Sequence, residues 1–123
     1  MKLNFARPGV IIDRFEEADA VMSALDIVGE SIEGGSVPAS DSFPHDEFRD
    51  YVQARIDTEG EVLRSPIPLD PFLAAWTHSI LSFAAINHTD PVVRIRSDSV
   101  HRRLGSHIQQ SVRLHKPQNS LRN

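Results

Sequence analysis

The feature that most constrains the fold of this chain is the stretch from Pro71 to Thr89, its longest run without a charged residue. Asp70-Pro71 opens that run with two helix-start signals at once. An aspartate side chain can accept from the free amides of a first turn, and a proline at the first helical position gives up an N–H that would be unused anyway. A helix is predicted from Pro71 to about Ile86. On a helical wheel Phe72, Leu73, Trp76, Ile80 and Phe83 fill one side, Leu81 lies beyond them, and Ala74, Ala75, His78, Ser82 and Ala85 make up the remainder. A helix that is apolar or small all round belongs in the middle of a domain. Trp76 is therefore expected in the core, and the alanine and serine side is expected to let another helix approach closely. The polar residues Thr77, His78, Ser79, Ser82, Asn87 and His88 exclude a membrane span, which needs about 20 predominantly apolar residues.

A central helix needs neighbours, and a chain of 123 residues has enough length for one hydrophobic core but not for two. Hydrophobic residues at 40% and charged residues at 24% place it among chains that fold. The absence of cysteine excludes disulfide frameworks and thiolate chemistry, from zinc fingers to cysteine nucleophiles. The N-terminal residues carry one lysine but no long apolar stretch, so they do not read as a secretory signal and a cytoplasmic address is expected. Asn87-His88-Thr89 matches the glycosylation sequon, which has no consequence without export.

The flanking segments supply candidate neighbours. Asp13 is expected to cap a helix reaching about Ser31, since Phe15, Ala18, Met22, Leu25 and Ile32 recur at helical spacing with Val21 and Val28 beside them. Gly34-Gly35, then Ser36 and Pro38, end it. After Pro44, Asp46 and Glu47 favour the first turn of a second helix with Phe48, Tyr51, Val52 and Ile56 as its stripe, ending at Gly60. Arg64 to Leu69, with prolines at 66 and 68, reads as an extended connector. Past Pro91, Val92 to Arg96 reads as a short strand with Val93 and Ile95 inward, paired with the arm containing Leu3, Phe5 and Val10-Ile11-Ile12. A last helix is expected to begin after Ser97 or Asp98, with Val100, Leu104, Ile108 and Val112 repeating at four. Gly105 weakens it by about 1 kcal/mol relative to alanine, and a strand through Val112 and Leu114 is the competing reading.

The fold class expected is mainly α: a bundle of about four helices with room for a small two-stranded sheet, which would make it α+β. Residues 1–115 are expected to form a single globular domain and 116–123 a mobile tail.

Net charge is −4, divided unevenly: residues 1–89 hold fifteen acids and six bases, residues 90–123 two acids and seven bases. Clustered charge reports on partners more than on fold. Glu16, Asp19, Asp26 and Glu30 share the polar face of the first helix, and Arg102, Gln109, Arg113 and Lys116 share one side of the last. These two faces are the candidate binding residues, for another protein or for a second copy of the chain, acting as an adaptor, an inhibitor or an assembly subunit. A nucleic-acid accessory protein using Arg94, Arg96, Arg102, Arg103, Arg113 and Lys116 is the alternative. It is disfavoured by the acidic total and by the lack of any aromatic residue beyond Phe83.

Candidate catalytic groups are few. His101, His107 and His115 are spaced by six and eight, which does not make helical ligand pairs, so neither a metal nor another cofactor is expected. His88-Thr89-Asp90 has the composition of a general-base dyad, but histidine at a helix end is also explained by the terminal carbonyls. His78, in the central helix, is expected to be a hydrogen-bonded core residue and a pH-sensitive packing element. Gly29, Gly34 and Gly35 match no phosphate loop and read as helix punctuation, and no G-x-S-x-G nucleophile motif occurs. No catalytic residue is assigned. A small enzyme using His78 or His88 is the third reading.

Overall fold

A computed structural model describes residues 1–35, 45–59 and 66–114. In chain order its elements are β1 (Lys2–Leu3), β2 (Val10–Ile12), α1 (Phe15–Glu33), α2 (His45–Glu59), β3 (Ile67–Leu69), α3 (Pro71–Asn87) and α4 (Pro91–Leu114). Among the described residues the fold is mainly helical, with four helices and one small antiparallel sheet of three strands in the order β1-β2-β3.

Alternation decides which face of the sheet meets the helices. Val10 and Ile12 of β2 are buried, and so are Ile67 and Leu69 of β3, paired as Val10 with Leu69 and Ile12 with Ile67. Pro68 lies between them on the outer, exposed face of an edge strand, where a residue without an N–H is tolerated. The N-terminal arm thus pairs with the proline-containing connector. It does not pair with residues 92–96, which are the opening turns of α4. The expected strand there is corrected: Ile95 is exposed and Val93 only half-buried.

The cause of that correction is local. The Asp90 carboxylate accepts from the Val92 amide at 2.9 Å, and Pro91 occupies the first helical position. This repeats the start of α3, where Asp70 accepts from the Leu73 amide at 2.8 Å ahead of Pro71. Such a cap is worth about 1 kcal/mol, enough to set the helix start against the weak β preference of Val92, Val93 and Ile95. The strand alternative at Val112 and Leu114 is also replaced by helix.

α1 carries the largest buried set, including Ala18, Val21, Met22, Leu25 and Val28, and packs against α2, α3 and α4. Its N-cap position is Arg14, with no side-chain cap. Asp13 instead faces the amino group of Met1, as does Glu17 at 2.5 Å. Burial works to raise the Asp13 pKa, but the hydrogen bond and charge of the amino group bring it below the ordinary carboxylate value. Glu17 has no exposed surface, and the Arg103 guanidinium lies 3.7 Å from its second oxygen. One buried carboxylate therefore joins the N-terminal arm, α1 and α4. Removing one side of such an arrangement leaves a desolvated charge.

Gly9 makes the other junction. It immediately precedes β2 with φ of +145°, a backbone region closed to side chains, and its amide donates to the buried Ser111 hydroxyl of α4 at 2.9 Å. In α2, Phe48 and Val52 are buried, Ile56 is half-buried and Tyr51 is exposed. Trp76 is half-buried, not central: its ring meets the edges of His45 and Phe48 at 6.0 and 6.5 Å and forms the α2–α3 contact.

Candidate functional site

α3 departs most from its sequence-based expectation. It buries Ala74, Thr77, Ile80, Leu81 and Ala84 against α1 and α4, yet its remaining side faces solvent. Phe72 is 59% exposed and Ile86 74%, with Ala75 and Ser79 exposed and Ser82 half-buried between them. Positions 72, 75, 79, 82 and 86 step by three and four along one face. The exposed positions of this uncharged helix thus fall along one face.

The His88-Thr89-Asp90 turn folds α4 back against α3 as a helical hairpin. Within it the rings of His78 and His101 stack, with centroids 3.9 Å apart and planes 25° from parallel. The His101 Nδ1 lies 3.0 Å from the His78 carbonyl oxygen, so Nδ1 carries a proton and donates. Gly105 makes room for the stack, because a Cβ there would sit 2.9 Å from the His78 Nε2. A glycine that reads as a weakness in α4 is a seat for an imidazole. Gly29 in α1 does the same for His45, whose Cε1 would lie 3.1 Å from an added Cβ. Gly29 is therefore packing, not punctuation, whereas Gly34 does cap α1 and Gly35 has a positive φ.

Above the histidine stack lies an open groove of about 670 Å³, bounded by Ala75 and Ser79 of α3 and by Arg102, Ser106 and Gln109 of α4. Burial and then the neighbouring His101 hold the His78 pKa below its ordinary value of 6.5. The unfolded chain therefore takes up this proton first. The stability His78 contributes is present above about pH 6.5 and is lost as pH falls through that value towards its lower folded pKa. Urea midpoints should accordingly drop between about pH 7.5 and 5. They should drop less for His78→Gln, and equal losses in the two proteins would refute the assignment.

The structure distributes the sequence-derived candidates as follows. Arg102 and Gln109 border the groove and Arg113 is exposed two turns beyond Ser106 on the same helix, while Lys116 lies outside the described residues. Arg102 pairs with Asp98 of its own helix at 3.0 Å. The acidic set is largely engaged within the chain: Asp19 accepts from Arg96 of α4 at 2.8 Å, and Asp26 from Arg49 of α2 at 2.7 Å. Glu16 lies 3.9 Å from Arg14. Glu30 is exposed and borders a second, acidic groove of about 530 Å³ between α1 and α2, where His45 faces the Leu25 carbonyl at 2.9 Å and Asp46 at 3.0 Å.

His88 forms no dyad with Asp90. Its Nδ1 accepts from the Asp90 amide at 3.0 Å, and the Asp90 carboxylate is committed to the start of α4. Among the described residues no group of three or more histidines and carboxylates is placed to hold a metal ion, and no helix is long and apolar enough to cross a membrane. Compared with models of protein families, with curated proteins and with solved structures, the chain matches none of them.

Proposed function

We propose that this chain is a protein-binding module, an adaptor, inhibitor or assembly subunit, whose docking surface is the outer side of the α3–α4 hairpin. The observation that carries the reading is that α3 has no charged residue on any side and still exposes Phe72 and Ile86. A helix face adapted to water alone carries charge. Covering these two side chains is worth about 1.5–3 kcal/mol each. The groove edged by Arg102 and Gln109, with Arg113 exposed further along α4, adds polar positions that orient a partner, in the usual pattern of an apolar centre and a polar rim.

Two facts favour protein over nucleic acid. Arg96, Arg102 and Arg103 lie against Asp19, Asp98 and Glu17, and Arg94 donates to the His88 carbonyl at 2.7 Å. The exposed aromatic of the hairpin, Phe72, lies on α3, a helix with no cation. An enzymatic reading has less support, since neither His78 nor His88 is oriented by a carboxylate in the hydrogen bonds the structure shows.

The test is capture from nuclease-treated lysate with the intact chain and with a Phe72→Glu, Ile86→Glu variant of unchanged circular dichroism. A protein retained by the first and lost by the second is the expected result, and retention should persist at high salt. Identical retention by both baits would overturn the reading. Binding that collapses as salt rises would transfer support to the nucleic-acid alternative.

A further inference from the structure

Resting on that reading only for the partner it would control, we infer that the His78–His101 stack is a proton-operated switch in the α3–α4 groove, closed while the rings are uncharged and opened into the groove when both are protonated.

The surroundings favour the stack only in its uncharged form. The ring centroids stand 3.9 Å apart with planes 25° from parallel, a separation at which two imidazolium ions repel. No carboxylate lines the groove among the described residues. Arg102, which does line it, adds positive charge, and Asp98, three residues before His101, is held by that guanidinium at 3.0 Å. α3 contributes no charged residue and no second titratable one. α1, packed against both helices, sets Glu17 against Arg103 and Asp19 against Arg96. α2 meets α3 at Trp76, through Phe48 and through His45, itself held at Leu25 and Asp46. The sheet joins α4 at Ser111. A second proton on the pair thus finds no counterion.

The same geometry keeps the opening local. His78 and His101 are both half-buried and both line a groove of about 670 Å³, so a ring can leave the stack for open space. The residues that α3 buries, Ala74, Thr77, Ile80, Leu81 and Ala84, need not follow. One printed restraint has to break, the bond from the His101 Nδ1 to the His78 carbonyl at 3.0 Å. Burial and the neighbouring His101 hold the His78 pKa below its ordinary 6.5, so the closed form persists at neutral pH and gives way as pH falls through that lower value. A partner seated in the groove meets two neutral rings in the first state and a charged, displaced pair in the second. Acid therefore releases it.

Nuclear Overhauser contacts between the ring protons of His78 and His101 read the stack directly in the intact chain. They should be present at about pH 7.5 and lost at about pH 5, with far-UV circular dichroism unchanged. Gly105→Ala should abolish them already at neutral pH, because its Cβ would stand 2.9 Å from the His78 Nε2, the far end of a side chain that can turn aside. His101→Asn, which cannot be protonated, should move the His78 titration midpoint upward. Contacts that persist at about pH 5 with both rings titrated, or that vanish only together with the helical signal, would overturn the inference. So would a His78 midpoint indifferent to His101→Asn. A protein captured through Phe72 and Ile86 should be lost in acid and, at neutral pH, by Gly105→Ala. Capture indifferent to both would overturn the control of docking and leave the docking surface standing, whereas a switch seen in the spectra with no protein captured would remove the docking surface alone.

Discussion

Gly9→Val should cost about 3–5 kcal/mol of folding free energy, read as a fall in the urea midpoint at unchanged slope. Two independent penalties meet at this residue. Its φ of +145° is strained for any residue with a Cβ, and that Cβ would lie 2.3 Å from the Leu69 carbonyl oxygen and 3.2 Å from its carbon. Those are backbone atoms of β3, held in register by pairing with Val10 immediately beside the mutation, so they cannot swing aside as a side chain would. Retreat of Gly9 itself would break its bond to Ser111. Gly35→Ala provides the comparison: its φ is +79°, but nothing lies within 4 Å of the added Cβ, so only the conformational cost of about 1–2 kcal/mol applies. A Gly9→Val midpoint within 1 kcal/mol of the parent protein's, by the same measure, would contradict this account of the β2–β3 junction.

Leu104→Ala should cost about 2–5 kcal/mol, whereas Ile95→Ala, made in the same helix, should fall within about 0.5 kcal/mol of the parent. Leu104 has no exposed surface and lies with Val100 in the core against which Ile108 packs, so truncation leaves a cavity its neighbours fill only partly. Ile95 is 72% exposed and loses little contact. The pair also discriminates between structures. Were residues 92–96 a strand with Ile95 inward, the Ile95 variant would be the damaging one. Equal costs would mean that α4 is rotated from the register described.

Much of the helical order was legible, and the misses have physical causes. α3 followed from Asp70-Pro71, and Val100, Leu104 and Ile108 marked the buried side of α4. The first two turns of α4 were missed because β-branched Val92, Val93 and Ile95 outweighed the identical Asp-Pro start at residues 90 and 91. The sheet partner was missed because two prolines argue against a strand, and only topology shows that Pro68 faces outward on an edge. The exposed side of α3 was half legible. The uncharged run was evident, but an apolar helix reads as central until the number of available neighbours is known. With α1, α2 and α4 placed, Ala75, Ser79 and Ile86 of α3 remain exposed. The His78–His101 stack joins residues 23 apart on different helices, and Gly105, a glycine inside an amphipathic helix, was its one sequence signal. What periodicity could not show is that Asp19 and Asp26 have partners on other helices.

The bond between the Gly9 amide and Ser111 spans 102 residues, and it orders events while the chain is being made. At about 5–20 residues per second, Ser111 follows Gly9 out of the peptidyl-transferase centre by about 5–20 s. During that interval β2 can pair with β3, but the Gly9 amide waits for its acceptor. A stalled or prematurely terminated translation product lacking the end of α4 would consequently display an unsealed sheet and an exposed apolar core, the features by which chaperones and proteases distinguish unfinished chains from finished ones.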